Sequence, residues 1–228
     1  MKTSEKIKQR LEEDNARYWA GDNIADYIND GETDELISEL TEKFESVIDS
    51  LVIDRQRDPN SQDTGRRLAK MYVNELMAGR YYPQPNATAF PNDPKDGYSG
   101  MLVVRSELRS VCSHHHQPVV GVAYIGIIAA EKLIGLSKYT RIAQWCARRG
   151  TLQEELANDI AREIMKSTGS ENVGVYIQCT HGCCENRGIM AHSSLTQTTV
   201  LEGAFLTDAS VKEEFFHNIK LQQEFAPR

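Results

Sequence analysis

Long apolar runs are missing: none approaches the eighteen residues that a membrane-spanning helix needs. Long basic tracts are missing too, and the net charge is −7. That argues against a general nucleic-acid surface but leaves room for a local basic cluster binding a small anion. No apolar signal core opens the chain. Met1-Lys2-Thr3-Ser4-Glu5-Lys6 leads into a charged segment, so a cytoplasmic protein is expected. There is no internal repeat and no low-complexity tract. Cysteine is scarce at five residues, an odd count, yet Cys112, Cys179, Cys183 and Cys184 all lie near histidines. In a cytosolic chain that clustering points to metal binding rather than disulfides. Cys146 sits in a helical pattern and reads as a buried small hydrophobe.

What is present suits a soluble globular protein: 228 residues, 40% hydrophobic and 26% charged, enough for one domain with an appendage. Residues 4–57 are rich in Glu, Asp and Lys, and the first twenty are polar enough to suggest loose order. Leu36, Leu40, Phe44, Val47, Ile48 and Leu51 follow the spacing of an amphipathic helix. The polar turn Arg55–Ser61 marks a boundary, giving a helical arm over 1–58 and a catalytic domain over 59–228. Asp63-Thr64 offers a helix N-cap before Leu68, Met71, Tyr72, Leu76 and Met77. A Pro- and Asn-rich loop follows from Tyr82 to Tyr98. Strands are expected at Met101–Leu108, Val119–Ile127, Val173–Ile177 and Ser194–Leu201. Helices are expected after Ser137 as cap, from Leu152 to Met165, and from Val211 to Ile219. The order predicts an α+β fold with an antiparallel sheet.

Two segments carry metal chemistry. Cys112 and His115 have a C-x2-H spacing that lets one tight turn aim two side chains at an ion, and Cys183 is the best third ligand. Three such ligands leave the fourth position of a zinc ion open for water, as hydrolytic sites require. His114 points away from its ligand neighbour and can carry protons. Other arrangements stay open. Cys179, His181 and Cys183 alternate and would share one face of an extended strand. His116 and Cys184 are further possible ligands, and a closed four-coordinate site would be structural.

An anion site is the second constellation. Lys138 and Arg141 fall on the first turn of a helix opened by Ser137, where free backbone N–H groups suit phosphate. Arg187 would add a third cation near the metal, although such a pair is also ordinary surface solvation. Gln153-Glu154-Glu155 opens the next helix, where acidic residues answer the helix dipole or bind a guanine-type edge.

These pieces, in this order, resemble GTP cyclohydrolase I. The resemblance covers roughly residues 60–220. Thr64-Gly65-Arg66-Arg67-Leu68-Ala69-Lys70-Met71-Tyr72 is similar to the family's T-P-x-R-V-A-K-M-Y, and Cys112-Ser113-His114-His115 to its C-E-H-H. Gly135-Leu136-Ser137-Lys138 with Arg141-Ile142 is similar to G-L-S-K-x-x-R-I, and Gln153-Glu154 to Q-E. His181-Gly182-Cys183 with Arg187-Gly188 is similar to H-x-C-x-x-x-R-G.

The resemblance implies that Cys112, His115 and Cys183 hold Zn²⁺ and that His114 and His181 shuttle protons. It implies that Ser137, Lys138, Arg141 and Arg187 receive the triphosphate of GTP, and that the Gln153-Glu154 pair binds substrate, with Glu154 on the guanine. Water activated by the zinc would attack C8, the imidazole ring would open and formate would leave. Rearrangement of the ribose would give 7,8-dihydroneopterin triphosphate, the first step of pterin, folate or 7-deazaguanine synthesis. The implied fold is the tunnelling fold, assembled as a homo-oligomer (two pentameric rings in a decamer) with active sites at subunit boundaries, and neither nucleic acid nor membrane is a partner.

Four departures stand out: Ser113 replaces the Glu of C-E-H-H, and Gly65 the Pro of the first motif. The hairpin after Gly121 is about three residues short, and Cys184-Glu185-Asn186 replaces a Met-rich run. None removes an implied ligand or proton carrier. The altered hairpin and Glu185-Asn186 motivate one alternative, a related purine-nucleotide enzyme with another substrate, and the acidic helical arm and extra cysteines another, a non-catalytic zinc-stabilised assembly protein.

Overall fold

The computed structural model describes residues 1–93 and 95–225. Residue 94, in the expected Tyr82–Tyr98 loop, and residues 226–228, at the end of the expected catalytic domain, lie outside the described residues. The chain divides into two compact units, Met1–Pro83 and Gln84–Arg228.

The first unit is helical. It contains α1 (Thr3–Glu13), a 3-10 turn at Ala25–Tyr27, α2 (Glu32–Ser50), α3 (Thr64–Met71), a π turn at Tyr72–Leu76 and α4 (Ala78–Tyr81). The first twenty residues are more ordered than their polarity suggests. Ile7 and Leu11, one helical turn apart, bury together with Ile24. Leu36 and Ile37 of α2 bury against Ala69 of α3 and Val73, flanked by Leu40 and Phe44. Gly65 lets the two helices approach: a Cβ there would meet Glu45 Cγ at 2.5 Å and the Thr41 carbonyl at 3.1 Å. The polar stretch expected to divide the chain near residue 58 instead joins two helices that share this core. The unit therefore runs on to Pro83.

The second unit contains β1 (Ala89–Pro91), β2 (Met101–Val111), β3 (Pro118–Ile128), β4 (Lys132–Ile134), α5 (Leu136–Ala147) and α6 (Gln153–Thr168). It continues with β5 (Val173–His181), α7 (Gly182–Glu185), β6 (Thr196–Leu201), α8 (Ala204–Thr207) and α9 (Ala209–Phe225). Four strands pair antiparallel in the order β2-β3-β5-β6, and β1 pairs with β4 inside the expected long-loop region and beyond it. Period-two alternation sorts the side chains. Val173, Val175, Ile177 and Cys179 of β5 face a core shared with Ile142 of α5 and Leu156, Ile160 and Ile164 of α6. The other face buries Tyr124 against Phe205 and Phe215. An antiparallel sheet backed by helices is the expected α+β tunnelling fold.

Two local expectations change. Ser137 does not cap α5, because the helix begins at Leu136 with Gly135 as its cap. Cys179 does not form a separate metal cluster with His181 and Cys183. It belongs to the core row at 1% exposure, and burial pushes its thiol up to about 12. Cys146 is buried as expected, also pushed up to about 12 by burial. The shortened hairpin after Gly121 gives an unbroken ladder, pairing β2 and β3 from Met101↔Ile128 to Val111↔Pro118.

Candidate active site

Antiparallel pairing brings the two metal motifs to one end of the sheet. Val111, the last residue of β2, pairs with Pro118, the first of β3, and Val119 pairs with His181, the last of β5. The turn that carries Cys112-Ser113-His114-His115 and the short α7 that carries Cys183 therefore emerge side by side. The turn is closed by the Cys112 amide donating to the Gln117 carbonyl at 3.0 Å and the His116 amide to the Cys112 carbonyl at 2.9 Å. His116 takes a left-handed φ of 51° there, a conformation that His tolerates better than branched residues.

Cys112 is buried and Cys183 half-buried, and neither forms a disulfide. Burial pushes the Cys183 thiol up to about 11, and the neighbouring Cys112 and Cys184 thiols push in the same direction. The Cys183 and Cys184 sulfurs are 4.0 Å apart. The Cys183 thiol resists ionisation until a cation arrives to stabilise its thiolate, and with Cys112 beside it the pair offers sulfur donors that suit a thiophilic metal. The third expected ligand is turned elsewhere: His115 Nε2 accepts from Arg187 Nη1 at 3.1 Å. His114 Nδ1 lies 3.9 Å from Cys112 Sγ. Among the described residues no group of three or more His, Cys, Asp or Glu side chains is assembled for a metal.

His181 is half-buried at the strand end. Burial lowers its pKa, opposed by the nearby carboxylates of Glu154 and Glu185. Its Nε2 lies 2.8 Å from Gln153 Oε1. The first turn of α6 thus reaches the cysteine end, with Gln153 buried and Glu154 exposed. Sequence reasoning did not find the tie between Gln153 and His181, which crosses 28 positions and has no local signal. Nor did it single out the pairing of Arg187 with His115.

The anion motif lies elsewhere within the chain. Ser106 Oγ donates to Thr140 Oγ1 at 2.8 Å, and Ser110 Oγ to the Ala147 carbonyl at 2.6 Å. α5 therefore runs in the direction of β2 and ends, rather than begins, near Cys112. Ser137, Lys138 and Arg141 sit at its opposite end, and Lys138 Nζ donates to the Asn86 carbonyl at 2.6 Å. One chain unites Cys112, Cys183, His114, His115, His181, Gln153, Glu154 and Arg187. It does not bring the first-turn residues of α5 to them.

Residues 40–220 match the sequence model of the family described as GTP cyclohydrolase I. Among curated relatives, the GTP cyclohydrolase 1 of Flavobacterium johnsoniae is 36% identical over 194 residues, covering 84% of this chain and 85% of that protein. The GTP cyclohydrolase 1 of Aeromonas hydrophila is 37% identical over 177 residues, covering 77% and 80%. With most of its length matched, the chain belongs to the GTP cyclohydrolase I family.

Proposed function

We propose that this protein is a zinc-dependent hydrolase that opens the imidazole ring of GTP. Its products would be formate and 7,8-dihydroneopterin triphosphate, the start of pterin, folate or 7-deazaguanine synthesis in the cytoplasm. Family membership and the names of the relatives support GTP cyclohydrolase I as the activity. The observation that carries the reading is the convergence of Cys112, Cys183, His181 and the α6 terminus at one end of the sheet.

Cys112 and Cys183 would hold zinc together with His115, once that ring turns from Arg187. Zinc bound there supplies the Lewis acidity that makes water nucleophilic near neutral pH. One water adds at C8 and opens the ring to a formamide, a second releases C8 as formate, and closure of the rearranged ribose onto the freed amine returns one water. His114 and His181 would move the protons this needs, one taking a proton from the attacking water while the other gives one to a departing ring nitrogen. Glu154, exposed beside His181, would accept from the guanine N–H groups. Arg187, Ser137, Lys138 and Arg141 would receive the triphosphate. The separation of the α5 first turn from the cysteines supports a site completed by a second copy of the chain, as in a decamer of two pentameric rings.

A second reading, a purine-nucleotide hydrolase with an altered substrate, is favoured by the Glu185 carboxylate close to His181. Competition between GTP and its deoxy analogue separates the two. The deciding experiment is formate release from GTP by zinc-loaded protein beside Cys183→Ala. Release that depends on Cys183 supports the hydrolase, and bound zinc without release favours a non-catalytic assembly protein.

A further inference from the structure

The Gln153 side chain is buried at 3% exposure, and both ends of its carboxamide are engaged. Its Nε2 lies 3.2 Å from the Thr196 carbonyl, 3.2 Å from Thr198 Oγ1 and 3.5 Å from the Ile177 carbonyl. Its Oε1 faces His181 Nε2 at 2.8 Å. The two ends are not interchangeable. Rotating the amide by half a turn would set Oε1 against two backbone carbonyls, neither of which has a proton to give.

The consequence for His181 follows from the donor inventory. An amide oxygen only accepts, so the nitrogen facing it must carry hydrogen. A neutral imidazole has one N–H, and its lone pair then lies on the other nitrogen. We infer that Gln153 is a positioning residue that fixes His181 as the Nε2–H tautomer, so that protons enter and leave His181 through Nδ1.

The tether is well anchored. Gln153 is the first residue of α6, and its acceptors come from β5 and β6, which pair through Gln178↔Gln197 and Cys179↔Thr196. A helix end and two strands thus orient one ring, the arrangement by which a buried partner holds a working histidine. Gln153 is thereby reassigned from the substrate contact implied by the Q-E motif to a group acting through His181, and Glu154 alone of the pair faces outward. The inference rests on the reading of His181 as a proton carrier.

Solid-state ¹⁵N NMR of zinc-loaded, full-length protein labelled at histidine reads the tautomer directly. The chain has six histidines, and His181→Ala identifies the resonances of interest. At mildly alkaline pH the expected spectrum shows a protonated Nε2 and a bare Nδ1 at His181; the reverse overturns the inference. Gln153→Met removes the acceptor. The Met variant is expected to show mixed tautomers and a kcat for GTP lower by about 10- to 100-fold, with KM changed less than about threefold. A raised KM at unchanged kcat in the Met variant would place Gln153 on the substrate and overturn the assignment. The spectrum needs no turnover, so the expected tautomer in a protein that releases no formate would refute the hydrolase and leave the tether standing.

Discussion

Thr140 of α5 accepts a hydrogen bond from Ser106 of β2 at 2.8 Å, six positions before Cys112 along the strand. At the rise of an extended chain those six residues span about 20 Å. The phosphate-type motif that opens α5 therefore sits well away from the cysteines of its own chain.

This separation predicts complementation. Lys138→Ala and Cys183→Ala should each be inactive alone, since each spoils every site. Co-expressed in equal amounts, they should form mixed oligomers in which about a quarter of the sites draw both halves from intact surfaces. Activity of the purified mixture reads this out. A mixture as inactive as its parents contradicts a shared site.

Metal analysis addresses the ligands. Zinc X-ray absorption should show two sulfurs, one nitrogen and one further light atom, and Cys112→Ser should weaken zinc retention at least about tenfold. Four protein donors, with Cys184 or His116 completing the set, would point instead to a closed structural site.

Gly121 supplies a stability test. A Cβ there would meet Cys179 Cα at 2.6 Å and Cys179 Sγ at 2.7 Å, and would press on the Gln178 carbonyl. Cys179 is locked in the core, so the clash cannot be relieved by a flexible side chain. Gly121→Ala should cost about 1–3 kcal/mol, read as a lower urea midpoint at unchanged slope. An unchanged midpoint would show that β3 and β5 can separate locally.

The acid limb of stability should report Glu39. Burial works to raise its carboxyl, but hydrogen bonds from Lys43 and from the Ser4 hydroxyl and amide outweigh that, lowering it from 4.5 to about 2. Because the folded value is depressed, the contribution is complete above about pH 4.5 and is lost as pH falls toward 2. Lys43 is half-exposed, so the loss is screened to the order of 2 kcal/mol at most. Unfolding of wild type and Glu39→Gln between pH 5 and pH 2 (about the range the two values span) should show a slope in the first and a flatter line in the second. Equal slopes would contradict the assignment.

Much of this was legible in the sequence because it is written locally. Runs of apolar and β-branched residues gave the four strands of the main sheet, and the spacing of Leu36, Leu40 and Phe44 gave α2. The chemistry of Cys112, His114, His115, His181 and Cys183 named the segments that meet. What was not legible depends on distant partners. Polarity hid the packing of α1, whose Ile7 and Leu11 need Ile24 to bury against. The turn after α2 resembled a domain boundary because the core joining Leu36 to Val73 spans it. Cys179 looked like a ligand by spacing, and only the strand's end at His181 puts Cys183 on a different element. The tether from Gln153 has no local signature at all, since its partners lie on β5 and β6.

The central claim is ring opening of GTP with proton transfer at His181. Its most direct test is to incubate zinc-loaded protein with GTP, oxidise the product and measure pterin fluorescence alongside formate, with His181→Ala in parallel. Pterin and formate in equal amounts, both falling by about 100-fold or more in the variant, is the predicted result. Zinc-loaded wild-type protein that yields neither product, or a variant as active as wild type, would contradict it.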